Sequence, residues 1–285
     1  MSLPQSHPPV GHIHGKGKVC PVAGEIHGFC PPQPGDSRAP CPALNAMANH
    51  GYISRDGKKL TAQAIVRGLK ACYGLSSPLA YFLAYVGFLF IGKFGRSLDL
   101  YEIGVHRRFG VEHDASLVHH DTRKGHKYAP IEIDSKLVET LIRDVHPSRK
   151  EIDASSDPEE KFLLNYEDVA RARVRREAEC RPIDAVHAEI ARGEMAIILG
   201  VWETKSNNKT GIPVDHFRRW ISEERLPDGW KPDHVQGLRD VRARSTNIRN
   251  AVKLLRQQAL ISAAGDAKSR ASSYSHSSGS AGGEA

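Results

Sequence analysis

The run from Arg38 to Gly51 reads Arg-Ala-Pro-Cys-Pro-Ala-Leu-Asn-Ala-Met-Ala-Asn-His-Gly, and the residue in it most able to do chemistry is Cys41. Pro42 suits the first position of a helix, where no amide hydrogen is needed, and Gly51 is a natural helix stop. Cys41 therefore falls at a helix N-cap, where unpaired first-turn amides and the positive end of the helix dipole favour thiolate over thiol. Such a sulfur can be a nucleophile or a metal ligand. Taken alone, Pro-Cys-Pro also reads as a stiff loop around a structural cysteine.

A second polar group stands at Glu112, His113, Asp114 and Ser116, just after Gly110. On a short helix Glu112 and Ser116 would share a face, and their hard oxygens suit Mg²⁺ or a similar cation completed by an anionic partner. Read by itself the segment is an exposed polar turn. His119, His120 and Asp121 follow, but no second cluster at ligand spacing supports zinc, so they are expected at the surface. A third segment, Phe162 to Cys180, carries Arg171, Arg173, Arg175 and Arg176 beside Glu177 and Glu179, with Arg181 just beyond it. On its own it reads as a solvated face laced with ion pairs.

Three motifs in chain order resemble one family. Pro40 to Tyr52, Glu112 to Ser116, and Asn165-Tyr166-Glu167-Asp168 through Arg173 to Arg176-Glu177 are similar to the fungal haem-thiolate peroxidases, the family of chloroperoxidase and the unspecific peroxygenases. The match covers roughly residues 35 to 230, and the histidine in Glu-His-Asp resembles the short, chloroperoxidase-like branch. The resemblance implies an all-α fold, a single mostly helical domain with irregular loops and flexible tails. It implies haem b with Cys41 as axial thiolate ligand and Pro42, Ala43 and Leu44 beside it. It further implies a Mg²⁺-like cation held at a haem propionate by Glu112, the His113 carbonyl and Ser116. Glu177 would be the acid–base group, hydrogen-bonded to His113, whose ring Asp114 would hold in one tautomer. The oxidant would be hydrogen peroxide and the substrates small hydrophobic or aromatic molecules, hydroxylated, epoxidised or oxidised by one electron, with halide oxidation as a further activity. Val111 stands where chloroperoxidase has a phenylalanine, which would widen the pocket.

Cys20-Pro21 and Cys30-Pro31 repeat the cysteine-proline pair, so a haem-responsive regulatory protein without turnover is the alternative. A sensor would not require Glu112, Ser116 and Glu177. A third class, a basic helical protein on nucleic acid or a membrane surface, rests on the net charge of +7 and the arginine segment alone. Acidic and basic residues are interleaved, which reads as solubility, and no nucleic-acid partner is expected.

The elements that must position these groups are helical by periodicity, over 62–73, 78–91, 135–144, 158–180, 184–199 and 234–261, with strand-like alternation nearly absent. A chain of 285 residues with 40% hydrophobic residues can bury a sizeable core. Residues 1–34 read as an irregular arm, 35–262 as the haem-thiolate peroxidase domain and 263–285 as a disordered Ser/Gly-rich tail. The most apolar stretch, Leu79 to Ile91, falls short of the ~20 residues of a membrane span, so membrane association is not expected. Phe82, Tyr85 and Phe88 form a stripe that could be core or the wall of a substrate funnel. Met1 is not followed by an apolar signal region, which predicts an intracellular protein, a mature secreted form being the alternative; Asn208 would then be a glycosylation site. Five irregularly spaced cysteines do not describe a disulfide framework. A homodimer is compatible with the sequence.

Overall fold

The computed structural model describes residues 13–14, 18–19, 26–106, 110–145, 163–206 and 209–277. Among them are eight α-helices: α1 (Pro42–Asn49), α2 (Ala62–Tyr73), α3 (Ser77–Ile91), α4 (Ser135–Arg143), α5 (Tyr166–Glu179), α6 (Ala185–Trp202), α7 (Val214–Glu223) and α8 (Leu238–Ser277). The all-α class holds. The strands are short: Ile13–His14 pairs antiparallel with Lys18–Val19, and Lys209–Pro213 lies between Leu163–Leu164 and Thr204–Ser206 in a small antiparallel sheet.

Local chemistry sets the helix ends. The Thr61 and Ser76 hydroxyls accept from Ala64 N and Leu79 N, and Asp134, Asn165 and Asp184 carboxylate or amide oxygens do the same for α4, α5 and α6. Gly74 and Gly92 close α2 and α3 in the left-handed conformation, at φ 64° and 77°. Long-range packing then joins them. Helix α8 lies along α5 and α6, α2 lies along α3, and α4 lies against α7. Trp202 of α6 packs on Trp220 of α7 and on Trp230, at ring-centroid distances of 5.3 and 4.2 Å. This apolar floor lies beneath the cavity described below.

Several expected boundaries move. The helix placed over 158–180 begins only at Tyr166, because Asn165 caps it and Leu163–Leu164 is drawn into the sheet; 158–162 lie outside the described residues. The last helix runs through Ser277, beyond the boundary drawn at 262; 278–285 lie outside the described residues. Helix α7 was not anticipated. Part of the arm assigned to 1–34 belongs to the core: Cys30 is fully buried, its amide donates to Asn49 O at 2.9 Å, and the His27 ring stacks on Tyr52 at 3.6 Å. Cys20 and Asn208 lie outside the described residues. No helix among the described residues is long and apolar enough to cross a membrane.

Candidate active site

Cys41 is the N-cap of α1, as Pro42 predicts, with extended φ and ψ of −97° and 105°. Behind it the chain is tied down locally. Ala39 N donates to Asn45 Oδ1 at 2.8 Å, Asn45 Nδ2 donates back to Ala39 O at 2.7 Å, and the Arg38 guanidinium donates to Asn49 Oδ1. From α2, the Tyr73 hydroxyl donates to Ala43 O at 2.8 Å. Cys41, Pro42, Ala43 and Leu44 all line a cavity of about 810 Å³ enclosed chiefly by apolar side chains of α3 and α6.

The sulfur makes no capping hydrogen bond. Burial pushes its thiol up to about 11; the Leu44 and Ala43 amides act as dipoles pulling it down, and Glu194 and Glu224 push it further up. The expected lowering by the helix terminus is therefore outweighed by desolvation. A coordinating metal would restore the thiolate.

Across the cavity, residues 110–122 form no helix, contrary to expectation, but an irregular loop that turns at Ala115 with φ 62°. Its backbone carbonyls are gripped by α5. Arg173 Nη1 donates to Ala115 O at 2.8 Å, and Arg176 Nε donates to Ser116 O at 2.9 Å. Arg181, just past α5, donates to the Asp114 carboxylate and to Thr122 O. The arginines read as a solvated face thus hold a loop, and Arg173 is 2% exposed.

His113 is buried at the cavity wall, its Nδ1 2.7 Å from Asp114 O. A carbonyl only accepts, so Nδ1 carries the proton. The ring is thus oriented by the Asp114 main chain, and the Asp114 side chain, spent on Arg181 and the Thr122 amide, does not hold it as expected. Nε2 faces Glu194 Oε2 at 3.3 Å. Burial lowers the His113 pKa, but the charge and hydrogen bond of Glu194, with the Asp114 carbonyl, more than offset it, and the net shift is upward.

The partner expected for His113 was Glu177, and the structure does not form that pair. One turn after Arg173, Glu177 Oε1 accepts from Arg173 Nε and Nη2 at 2.9 and 2.6 Å, while Oε2 is bound by Arg256 of α8. Glu177 does not line the cavity; Glu194 does. The signal missed in the sequence is a carboxylate on an apolar stripe. Glu194 lies one turn from Ile190 and Ile198 and precedes eight uncharged residues to Trp202.

Glu112 and Ser116 line the same wall as His113, as expected, although not through a helix. Glu112 forms an ion pair with His106, its Oε1 accepts from Thr122 Oγ1 at 3.4 Å, and burial raises its pKa while His106 pulls it back. Ser116 Oγ accepts from the amides of Val118 and His119. His119 is not at the surface but 4% exposed, its Nδ1 donating to Glu132 O at 2.8 Å and its ring also facing the Pro40 carbonyl at the cavity wall. The aromatic stripe divides: Phe88 is core, Phe82 is half exposed at the cavity, and Tyr85 stacks on Tyr81.

The family model described as "Peroxidase, family 2" matches residues 27–235, so the chain belongs to that family. Chloroperoxidase of Leptoxyphium fumago is 26% identical over 238 residues, 76% of this chain and 60% of that protein. Aromatic peroxygenase of Cyclocybe aegerita is 36% identical over 83 residues, 29% of this chain and 22% of that protein. Aromatic peroxidase fscJ of Fusarium equiseti is 44% identical over 69 residues, 24% of this chain and 16% of that protein. The chain thus spans about three-fifths of chloroperoxidase's length and less of the others. Membership implies a haem cofactor, and the site fits one: a large apolar cavity with one sulfur at a helix end on its wall.

Proposed function

We propose that this protein is a haem-thiolate peroxidase and peroxygenase that uses hydrogen peroxide to oxidise small hydrophobic or aromatic molecules. The observation that carries the reading is the placement of Cys41 and the His113–Glu194 pair on one apolar cavity. Cys41 would hold the haem iron. Haem bound there supplies the redox chemistry of peroxide cleavage, and a thiolate ligand favours O–O scission.

The chain's own groups move the proton. Glu194 Oε2 would take a proton from one peroxide oxygen and return it to the other, so that the leaving group departs as water. His113 in its doubly protonated form donates from Nε2 and steadies that carboxylate, while its Nδ1–H on Asp114 O fixes which nitrogen faces Glu194. The apolar walls exclude water and admit an uncharged substrate. Val111, packed against the core beside Glu112, leaves more room than an aromatic side chain there.

Glu112, Ser116 and the His113 carbonyl would hold a Mg²⁺-like cation beside a haem propionate, the cation displacing the His106 imidazole from Glu112. The names of the relatives include both a chloroperoxidase and aromatic peroxygenases, so chloride or bromide oxidation and oxygen transfer to an aromatic ring are parallel activities of this reading. Incubation of the haem-loaded protein with hydrogen peroxide, an aromatic probe, and bromide tests it. The expected result is hydroxylated or brominated product that is absent without peroxide; haem-loaded protein yielding neither product would contradict an enzyme and favour a haem-responsive regulator.

A further inference from the structure

Behind the cysteine-bearing helix, on the side away from the cavity, stands a carboxylate that the proposed reaction does not use. Glu224 follows α7 with φ 49°, one of few non-glycine residues with positive φ among those described. That conformation is unfavourable for a residue with a long side chain and needs compensation from its surroundings. Here it turns Glu224 onto α1. Its Oε1 accepts from Asn45 Nδ2 at 2.6 Å, and its carbonyl accepts from Asn49 Nδ2 at 3.2 Å. Asn45, fully buried, carries the contact on to both polar groups of the Ala39 peptide, two residues before Cys41.

We infer that Glu224 is a positioning residue for Cys41, fixing the Pro-Cys-Pro turn through Asn45 and setting, by its negative charge, how strongly the sulfur donates to the iron. This rests on the reading of Cys41 as the axial ligand. A glutamine could accept the same bond from Asn45, so that substitution separates the charge from the contact. A negative charge behind the sulfur opposes any added electron and favours the ferric over the ferrous state. Burial raises the pKa of the Glu224 carboxyl, while the Asn45 hydrogen bond and the Arg38 guanidinium pull it back toward the charged form.

The test compares wild type, Glu224→Gln and Glu224→Asp as haem-loaded proteins, measuring the ferric/ferrous potential and the reduced carbon monoxide spectrum. Glu224→Gln, with the shape kept and the charge lost, should favour ferrous iron about threefold more, a rise of ~28 mV for one electron. Glu224→Asp, which keeps the charge and tolerates left-handed backbone, should shift by less than half of that. A Glu224→Gln protein at the wild-type potential would overturn the inference, as would an Asp variant that shifts as far as Gln, because the effect would then be one of contact and not charge. Should Glu224→Gln fail to hold haem, the Asp variant decides by the same criterion. A wild-type protein without thiolate-type carbon monoxide absorption would fail earlier, and would overturn the assignment of Cys41 itself.

Discussion

Cys41 reaches the cavity from the N-cap of an eight-residue helix, and much of what positions it lies in its own stretch of chain, in Arg38, Ala39, Asn45 and Asn49. His113 reaches the same cavity from an irregular loop held by residues far along the chain: Arg173 lies 58 positions from Ala115, and Glu194 lies 81 positions from His113. The first wall is short-range and regular, the second long-range and dependent on buried charge. A buried guanidinium on a carbonyl holds irregular backbone well, but it leaves a large desolvation cost if removed. The two walls should therefore fail differently.

The largest expected effect is on the loop wall. Arg173→Ala leaves the Ala115 carbonyl without its donor and Glu177 held by Arg256 alone, in a site where Arg173 is 2% exposed, and should destabilise the fold by about 3 kcal/mol. Denaturant melts measure it, and a loss below ~1 kcal/mol would show the loop to be self-supporting. Glu194→Gln should leave the fold intact and slow peroxide-dependent product formation by roughly 10²-fold or more, while Glu177→Gln stays within a few-fold of wild type. Turnover of both variants side by side separates them; the reverse order would return the acid–base role to Glu177.

The cysteine wall should respond to acid. His50 donates from Nδ1 to His27 O at 2.8 Å and accepts from Leu226 N at Nε2 at 3.0 Å, which fixes it as the neutral ring. Burial drives its pKa down to about 4, with Arg55 and Arg225 adding to the fall and the His27 carbonyl opposing it. The folded value lies below the unfolded one, so the unfolded chain binds the proton first. Stability from His50 is full above about pH 6.5 and is lost as pH falls toward 4, by on the order of 2 kcal/mol. His50→Gln should flatten that part of the stability profile, and an unchanged slope would remove His50 as its source. The smallest effect is expected at Gly193 in α6, where an added Cβ meets nothing within 4 Å. Gly193→Ala should raise stability by roughly 0.5 kcal/mol through the helix backbone alone, and a loss would show that this wall needs the space.

What was legible in the sequence follows the same division. Proline at the first helical position and glycine at the stop placed α1 correctly, and caps at Thr61, Ser76, Asp134 and Asp184 act within four residues. The loop wall was misread because its partners are distant. Nothing near Ala115 announces that Arg173 will bind its carbonyl; Glu177 took the acid–base role from the family resemblance alone, while its arginine neighbours by themselves read as ion-pair partners, which two arginines are. Glu194 carried a usable sign, a single carboxylate among isoleucines on one helix face, but its meaning depended on α6 being packed against the cavity. His119 was hidden for a similar reason: its burial comes from the fold of the loop and not from its polar neighbours.

The central claim is that Cys41 is the iron ligand, and the absorption spectrum of the reduced carbon monoxide complex tests it most directly. The wild-type protein should show the red-shifted Soret band of thiolate ligation, Cys41→Ala should lose it, and Cys72→Ala and Cys180→Ala should keep it. A red-shifted band that survives in Cys41→Ala, or that is missing from the haem-loaded wild type, would contradict the assignment.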